Sequence, residues 1–387
     1  MHVGFALLTL FPGRMGGSES TVRGLLAEFA RGHGPDRLTM LANRHVSAGY
    51  GDFARGPVEL HEVRGYRPGD GTATRTLAMA GAALAPRLAA RDIPSDLDIV
   101  HHPLTVPLPR PRGVPLVTTV HDLQHHELPQ LFSRAERLWR RWAYDGAARR
   151  AEAVITPSNH SRERLVELLG LDPSRVEVVP WGIDHSRFGS HGGEADERLA
   201  PRLPERFVVY PANMWPHKNH SRLVEALARV EQDDLHLVLT GQGYAQESQL
   251  LAQAARLGVE RRVRHLGYLP SDLLPALYRA AEAVVFPSLY EGFGSPPLEA
   301  MACGCPVASS QTGALGETAG PATLGLDPRS PESIAHAIDR VTRESELRER
   351  LRDRGLRHAA TFTWQACAQR HDEVYARVGA TSPSRTR

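Results

Sequence analysis

The sequence predicts an α/β protein made of two doubly wound parallel-sheet domains. Three observations carry this reading. Short apolar runs alternate with helix-length stretches, the alternation lapses in a Gly-, Pro- and charge-rich stretch after residue 186, and it then starts again. The length of 387 residues fits two domains of about 190 residues each.

In the first half the apolar runs lie at residues 2–8, 38–42, 97–100, 116–120, 154–156 and 176–179. Short, β-branched-rich runs of this kind are those of strands buried on both faces of a sheet. A helical stretch over 19–31 follows the first run. After the turn Pro180-Trp181-Gly182, residues 187–204 show no period and read as a linker. The rhythm resumes with strands at 207–210, 235–239, 263–266 and 283–286, and with helices from Ser221, up to Leu257, over 273–281 and from Pro296. Residues 331–378 are helical in pattern, and residues 381–387 read as disordered. The expected organisation is therefore a first domain at 1–186, a linker at 187–204 and a second domain at 205–361. A helix at 362–380, bearing Trp364, Tyr375 and Val378 after Phe362, is expected to pack back on the first domain. Two such sheets facing across a cleft would set their strand C-terminal ends, where ligands bind, opposite one another.

Composition narrows the function. The 46 basic and 44 acidic residues are interspersed and leave a net charge of +2, so no field points to a nucleic-acid partner. Three cysteines are too few for a disulfide framework and match no zinc spacing. The first residues lack the pattern of a signal peptide, and no apolar run approaches the ~20 residues of a membrane span, so a cytoplasmic protein is expected. Lys218 is the only lysine, leaving 45 of the 46 basic residues as arginine. That bias reflects GC-rich coding. A position that keeps lysine against it needs a compact ammonium in place of a planar fork, unless it survives by chance.

The densest chemistry is Glu291-Gly292-Phe293-Gly294-Ser295-Pro296-Pro297-Leu298-Glu299, directly after the strand ending at Phe286. Ser295 is the expected N-cap, with the prolines in the first turn. The glycines admit a ligand to the main chain, and N–H groups at the helix start favour an anion such as a diphosphate. Glu291 and Glu299 flank that place as acceptors for sugar hydroxyls. A second group, Trp215-Pro216-His217-Lys218-Asn219, puts the lone ammonium at another helix start. There it would neutralise a leaving diphosphate, and the competing readings are a Schiff-base lysine for a pyridoxal cofactor and a solvated loop lysine. Third, Gly16-Gly17-Ser18-Glu19 opens the first helix without the dinucleotide fingerprint or a Walker lysine. Fourth, His121-Asp122 ends a strand, and His101, His102, His125 and His126 raise the question of a metal. With 19 histidines in the chain and no ligand spacing on one helix face, no metal is expected. Finally, residues 133–150 form a basic, aromatic helix that would suit an anionic membrane surface. The favoured reading there puts the aromatics in the core and the arginines in water.

In order and content these residues resemble the retaining family-four glycosyltransferases of the GT-B fold, over residues 16–364. The shared features are the glycine turn, His121, PWGID (180–184), Lys218, LTGQG (239–243) and the two glutamates with seven residues between them. The run HDLQHHELPQLF (121–132) looks most like bacterial mannosyltransferases of that family. The resemblance implies that Glu299 holds the ribose, that Glu291 binds donor-sugar hydroxyls, and that Gly292, Phe293, Gly294 and Ser295 supply main-chain contacts. It likewise implies that Lys218 binds the diphosphate, that Gly17, beside Gly16, lies near the phosphates, and that His121 contacts the donor sugar at the reacting centre. Two departures stand out. Asn213 occupies the place of an arginine common in the family, and ALGE (314–317) lacks the usual proline before Glu317. The implied reaction is sugar transfer from a UDP- or GDP-sugar with retention, without metal or other cofactor, to a small molecule or glycan. Asp122 and Glu127 would suit a cationic acceptor such as an aminocyclitol in antibiotic biosynthesis. A cell-envelope polysaccharide mannosyltransferase and a non-catalytic nucleotide-sugar sensor are the alternatives, beside a sugar-nucleotide epimerase.

Overall fold

The computed structural model describes residues 1–13, 15–68, 78–79, 81–82, 90, 92–244 and 246–381. The chain forms two compact units, one of residues 1–182 with 364–387 and one of residues 183–363.

The first unit is built on a seven-stranded sheet in the order β3-β2-β1-β4-β5-β6-β7 with every pairing parallel. The strands are β1 (His2–Ala6), β2 (Arg37–Ala42), β3 (Val58–Glu62), β4 (Ile99–His102), β5 (Leu116–Thr119), β6 (Ala153–Thr156) and β7 (Val176–Val178). The central β1 is wholly buried, with Phe5 registered against Met40 on one side and His101 on the other. Sequence reading passes over β3 because VELHE is an edge strand with only Val58 fully buried, so its apolar content is low. The second unit carries six parallel strands in the order β10-β9-β8-β11-β12-β13. These are β8 (Phe207–Pro211), β9 (His236–Thr240), β10 (Val263–His265), β11 (Ala283–Phe286), β12 (Val307–Ser310) and β13 (Leu324–Leu326). VASS and LGL read poorly as strands because small and hydroxyl residues replace the β-branched ones. Ser310 is nonetheless buried and donates its hydroxyl to the Ser288 carbonyl at 2.8 Å.

Both sheets grow outward in two directions from their first strand, so strand order reverses between β1 and β4 and between β8 and β11. Ligands of doubly wound sheets bind outside the strand C-termini at such a switch. This single topological fact selects where chemistry can sit in each unit.

Three expectations need correction. Residues 187–204 belong inside the second unit. Phe188 is buried against Tyr278, helix Glu194–Leu199 forms, and Arg279 bonds both oxygens of Asp196 at 2.9 and 2.6 Å. Two apolar anchors, Phe188 and Leu199, are too sparse to show a period. At the other end, Phe362 stays in the second unit against Phe293, and the helix of the first unit runs Trp364–Thr381. Trp364 lies over Gly24, where any Cβ would meet its ring at 2.3 Å, and the Tyr375 hydroxyl bonds His101 Nδ1 at 2.7 Å. Of residues 381–387, read as disordered, Thr381 instead closes this helix, and 382–387 lie outside the described residues.

The third correction concerns residues 133–150. Helix Arg134–Arg140 starts from a capping box between Ser133 and Glu136, passes through a wide π turn at Arg141–Asp145 and continues as helix Gly146–Arg150. Tyr144 packs against the core as expected and Trp139 is half-buried, but Leu138 is 71% and Trp142 49% exposed. Ala143, Ala147 and Ala148 form the buried face, and such small residues let the backbone lie close to its neighbours while Leu138 and Trp142 face out. Among the described residues no helix is long and apolar enough to cross a membrane.

Candidate functional site

At the switch point of the second sheet, the loops after β8 and β11 are tied together. The His217 carbonyl accepts the Leu289 N–H at 2.8 Å and the Ser288 hydroxyl at 3.3 Å, and Tyr210 donates to the Lys218 carbonyl at 2.7 Å. Asn219 sits in the left-handed region at φ 66° and donates its amide to Pro287 O at 3.0 Å and Pro328 O at 2.6 Å. Asparagine tolerates that conformation, and here its side chain joins the ends of three strands. Sequence reading missed this role, although asparagine directly before a helix was its visible trace. The backbone of Lys218 is thus fixed by hydrogen bonds on both sides.

Its side chain meets Glu291. Lys218 Nζ lies 2.5 Å from Glu291 Oε1, and both side chains are largely shielded, at 17% and 13% exposed. Two residues 73 apart in sequence therefore form one ion pair, and the ammonium lies 5.6 Å from the Phe286 ring. The following loop enters helix Ser295–Ala302. The N-cap is Gly294, not Ser295, and no side chain caps the helix. Gly294 has φ 98°, and a Cβ there would meet Leu315 Cδ2 at 2.4 Å, so glycine is required twice over. Pro296 and Pro297 carry no N–H, so the helix start offers fewer donors than a generic one. The Gly294 and Ser295 N–H groups donate to nothing among the described residues. One turn on, Glu299 accepts the Tyr278 hydroxyl at 3.2 Å, and burial raises its carboxyl pKa. Asn213 ties the loop after β8 to the loop after β9, where its Oδ1 accepts the Gln242 N–H at 2.7 Å.

In the first unit, Gly16 caps helix Gly17–Ala30 with φ 54° and ψ −129°, and a Cβ on Gly16 or Gly17 would meet nothing within 4 Å. Gly16 is demanded by its backbone, whereas Gly17 borders open space that the protein leaves clear. Glu19 holds this loop: it accepts the Gly13 N–H at 2.7 Å, and the Tyr50 hydroxyl and Arg23 Nε at 3.1 Å each. His121, at the end of β5, has Nε2 2.8 Å from Pro103 O and its ring 5.4 Å from Trp181. Burial lowers its pKa, so it is a neutral imidazole at pH 7, and the Pro103 contact makes Nε2 the protonated nitrogen. Asp122 caps its own turn through the Gln124 N–H at 3.0 Å, and Glu127 forms an ion pair with Arg164. The same guanidinium also meets Glu167, so a cationic group arriving at Glu127 would share it with Arg164.

Among the described residues one group could offer a metal three donors, His125, His126 and Asp145. The histidines donate from Nε2 to the two Asp145 oxygens at 2.9 Å each. Burial acts to raise the Asp145 pKa and these two bonds outweigh it, so the net shift is downward. His125 Nδ1 is buried without a partner. Moving the proton there to free Nε2 for a cation would bury an unmatched N–H, so the group reads as a hydrogen-bonded clamp on the π turn.

Two doubly wound units, with glycine-opened loops and charged groups at their strand C-termini, define the GT-B architecture. Residues 15–187 match the family described as Glycosyltransferase Family 4, and residues 193–358 match Glycosyl transferases group 1. D-inositol 3-phosphate glycosyltransferase of Salinispora tropica is 33% identical over 71% of this chain, which spans 61% of that relative's length. O-antigen chain mannosyltransferase B of Escherichia coli is 30% identical over 76% of this chain and 78% of its own. Anabaena HepE, solved in complex with UDP-glucose, superposes with a TM-score of 0.74 at 21% identity, over 97% of this chain and 100% of that one. The chain belongs to glycosyltransferase family 4.

Proposed function

We propose that the protein is a retaining glycosyltransferase that moves a hexose-type sugar from a nucleoside diphosphate sugar to a hydroxyl of a small molecule or glycan. The observation that carries this reading is the Lys218–Glu291 pair at the switch point of the second sheet, beside the undonated N–H groups of Gly294 and Ser295. An arriving diphosphate competes with Glu291 for the ammonium. Once Lys218 turns to the phosphates, Glu291 is left as an acceptor for sugar hydroxyls, with Glu299 for the ribose. The bond from the anomeric carbon to the diphosphate oxygen breaks, and the acceptor oxygen bonds that carbon on the same face. The leaving phosphate oxygen takes the acceptor proton. Lys218 and the N–H groups carry the developing charge in place of a metal, and His121 contacts the donor sugar at the reacting centre.

The names of the Salinispora and Escherichia relatives support a sugar-transfer reaction, and the UDP-glucose of the Anabaena complex supports a nucleotide-sugar donor. Because Glu127 is paired with Arg164, an aminocyclitol acceptor loses part of its basis. A polysaccharide acceptor, favoured by the Escherichia relative, is the stronger second reading.

The test is incubation of the full chain with UDP- and GDP-hexoses and an acceptor panel, with nucleoside diphosphate release and the product's anomeric configuration as readouts. Turnover should persist in EDTA, and Lys218→Ala or Glu299→Ala should lower it by about 10²–10³ while the fold remains. An inverted product would overturn retention. Saturable donor binding without transfer would make the protein a sensor.

A further inference from the structure

The basic aromatic segment at residues 133–150 has no part in the proposed reaction, and its exposure departs most from expectation. Leu138 and Trp142 project outward, and the rings of Trp139 and Trp142 lie 5.2 Å apart. The two tryptophans line one groove with Val106, Leu108, Arg110 and Arg150. The segment carries six arginines, at 134, 137, 140, 141, 149 and 150, of which Arg150 lines the groove and Arg140 lies over the Phe132 and Tyr144 rings. Its two acids are occupied, Glu136 by the capping box and Asp145 by His125 and His126.

The arginines at the groove are the informative ones. Arg110 and Arg150 line the same groove, where burial and then the nearby Arg110 charge lower the Arg150 pKa, and neither has a carboxylate or hydrogen-bond partner among the described residues. Arg137 has a buried Nε without a partner. A solvated face would carry its guanidinium groups apart or paired with acids. Cations held together beside exposed indoles call for an anion attached to something apolar. A lipid leaflet supplies both, because phosphate headgroups lie directly above acyl chains, and tryptophan prefers that boundary.

We infer that the Leu138–Trp139–Trp142 face with Arg110 and Arg150 is a docking surface for an anionic lipid bilayer, on which the protein lies without crossing it. Arg110 and Arg150 meet headgroup phosphates while Leu138 and Trp142 enter the headgroup and acyl boundary. This does not depend on the reaction assigned above.

The experiment is co-sedimentation of the full chain with vesicles of phosphatidylcholine alone and of phosphatidylcholine mixed with phosphatidylglycerol, at low and high salt. Binding to the mixed vesicles only, lost as salt rises, is the expected result, with tryptophan emission shifted to the blue. Trp142→Asp should abolish binding at an unchanged melting temperature, and Arg150→Ser should weaken it roughly five-fold. If Trp142→Asp fails to fold, Leu138→Ser replaces it, since that side chain is mostly in water already. Equal binding to both vesicle types, or undiminished binding by the exposed-face variants, overturns the proposal. So does a melting temperature raised by inorganic phosphate without vesicle binding, which would mark a small-anion pocket. A dimer dispersed by Trp142→Asp, without vesicle binding, would mark self-association and overturn it as well.

Discussion

At the scale of single residues, Lys218 shows what charge alone does not specify. The chain uses arginine at every other basic position, yet this one meets Glu291 at 2.5 Å in a space framed by Phe286 and two backbone-pinned loops. A guanidinium is broader and prefers planar, bidentate partners. Lys218→Arg should therefore retain the fold and lose about 10²-fold or more in turnover, measured as nucleoside diphosphate release. Lys218→Ala should in addition cost about 1–2 kcal/mol in urea unfolding, because Glu291 is left shielded without its partner. Asn219 offers a separate test of positioning. Glycine keeps the left-handed backbone but removes both amide bonds, so Asn219→Gly should lower turnover more than donor affinity, and Asn219→Ala should behave worse through added backbone strain.

At the scale of elements, helix starts and helix docking decide the behaviour. Gly294→Ala combines a left-handed φ with a Cβ overlapping Leu315, and should cost about 2–4 kcal/mol, read as an earlier urea midpoint. The terminal helix Trp364–Thr381 packs buried histidines against the first sheet. Burial lowers His371 to about 4 and holds His101 well below its ordinary value, and His371 Nε2 has no partner among the described residues. Both are neutral when folded, whereas the unfolded chain takes up protons near pH 6.5. Their contribution is thus complete above about pH 6.5 and is lost as pH falls toward about 4, since the unfolded state then binds more protons. Melting temperature should fall across that window, and His371→Gln should flatten the slope. The π turn is the element that sequence periodicity handled worst. It holds Asp145 in the histidine clamp and leaves Trp142 outside, although regular helix spacing would make the same aromatics look like a core stripe.

At the scale of the whole molecule, each unit has its own sheet and core, and the first is completed by residues from both ends of the chain. Calorimetry should resolve unfolding into more than one transition. A nucleoside diphosphate at about 100 times its dissociation constant should add about 2.7 kcal/mol to the transition that Gly294→Ala weakens. Deleting residues 364–387 should weaken the other one, because Trp364 and Tyr375 would leave Gly24 and His101 uncovered.

Much of this protein is legible without coordinates. Buried parallel strands must be continuous apolar runs, so most strands of both sheets announce themselves, and glycine loops before helices mark the strand ends where ligands approach. Local composition could not reveal the strands whose burial is supplied by small or hydroxyl residues, such as Val307–Ser310, or by an edge position, such as Val58–Glu62. Lys218 and Glu291 could each be nominated from their own neighbourhoods, but their pairing depends on strand order, which brings β8 beside β11 across 71 intervening residues. Tertiary structure alone decided which charges remain available. Glu127 meets Arg164, whereas Arg110 and Arg150 have no counter-charge among the described residues. Sequence determines which chemical groups exist and which local conformations they favour, while the partners each group meets are set by long-range packing.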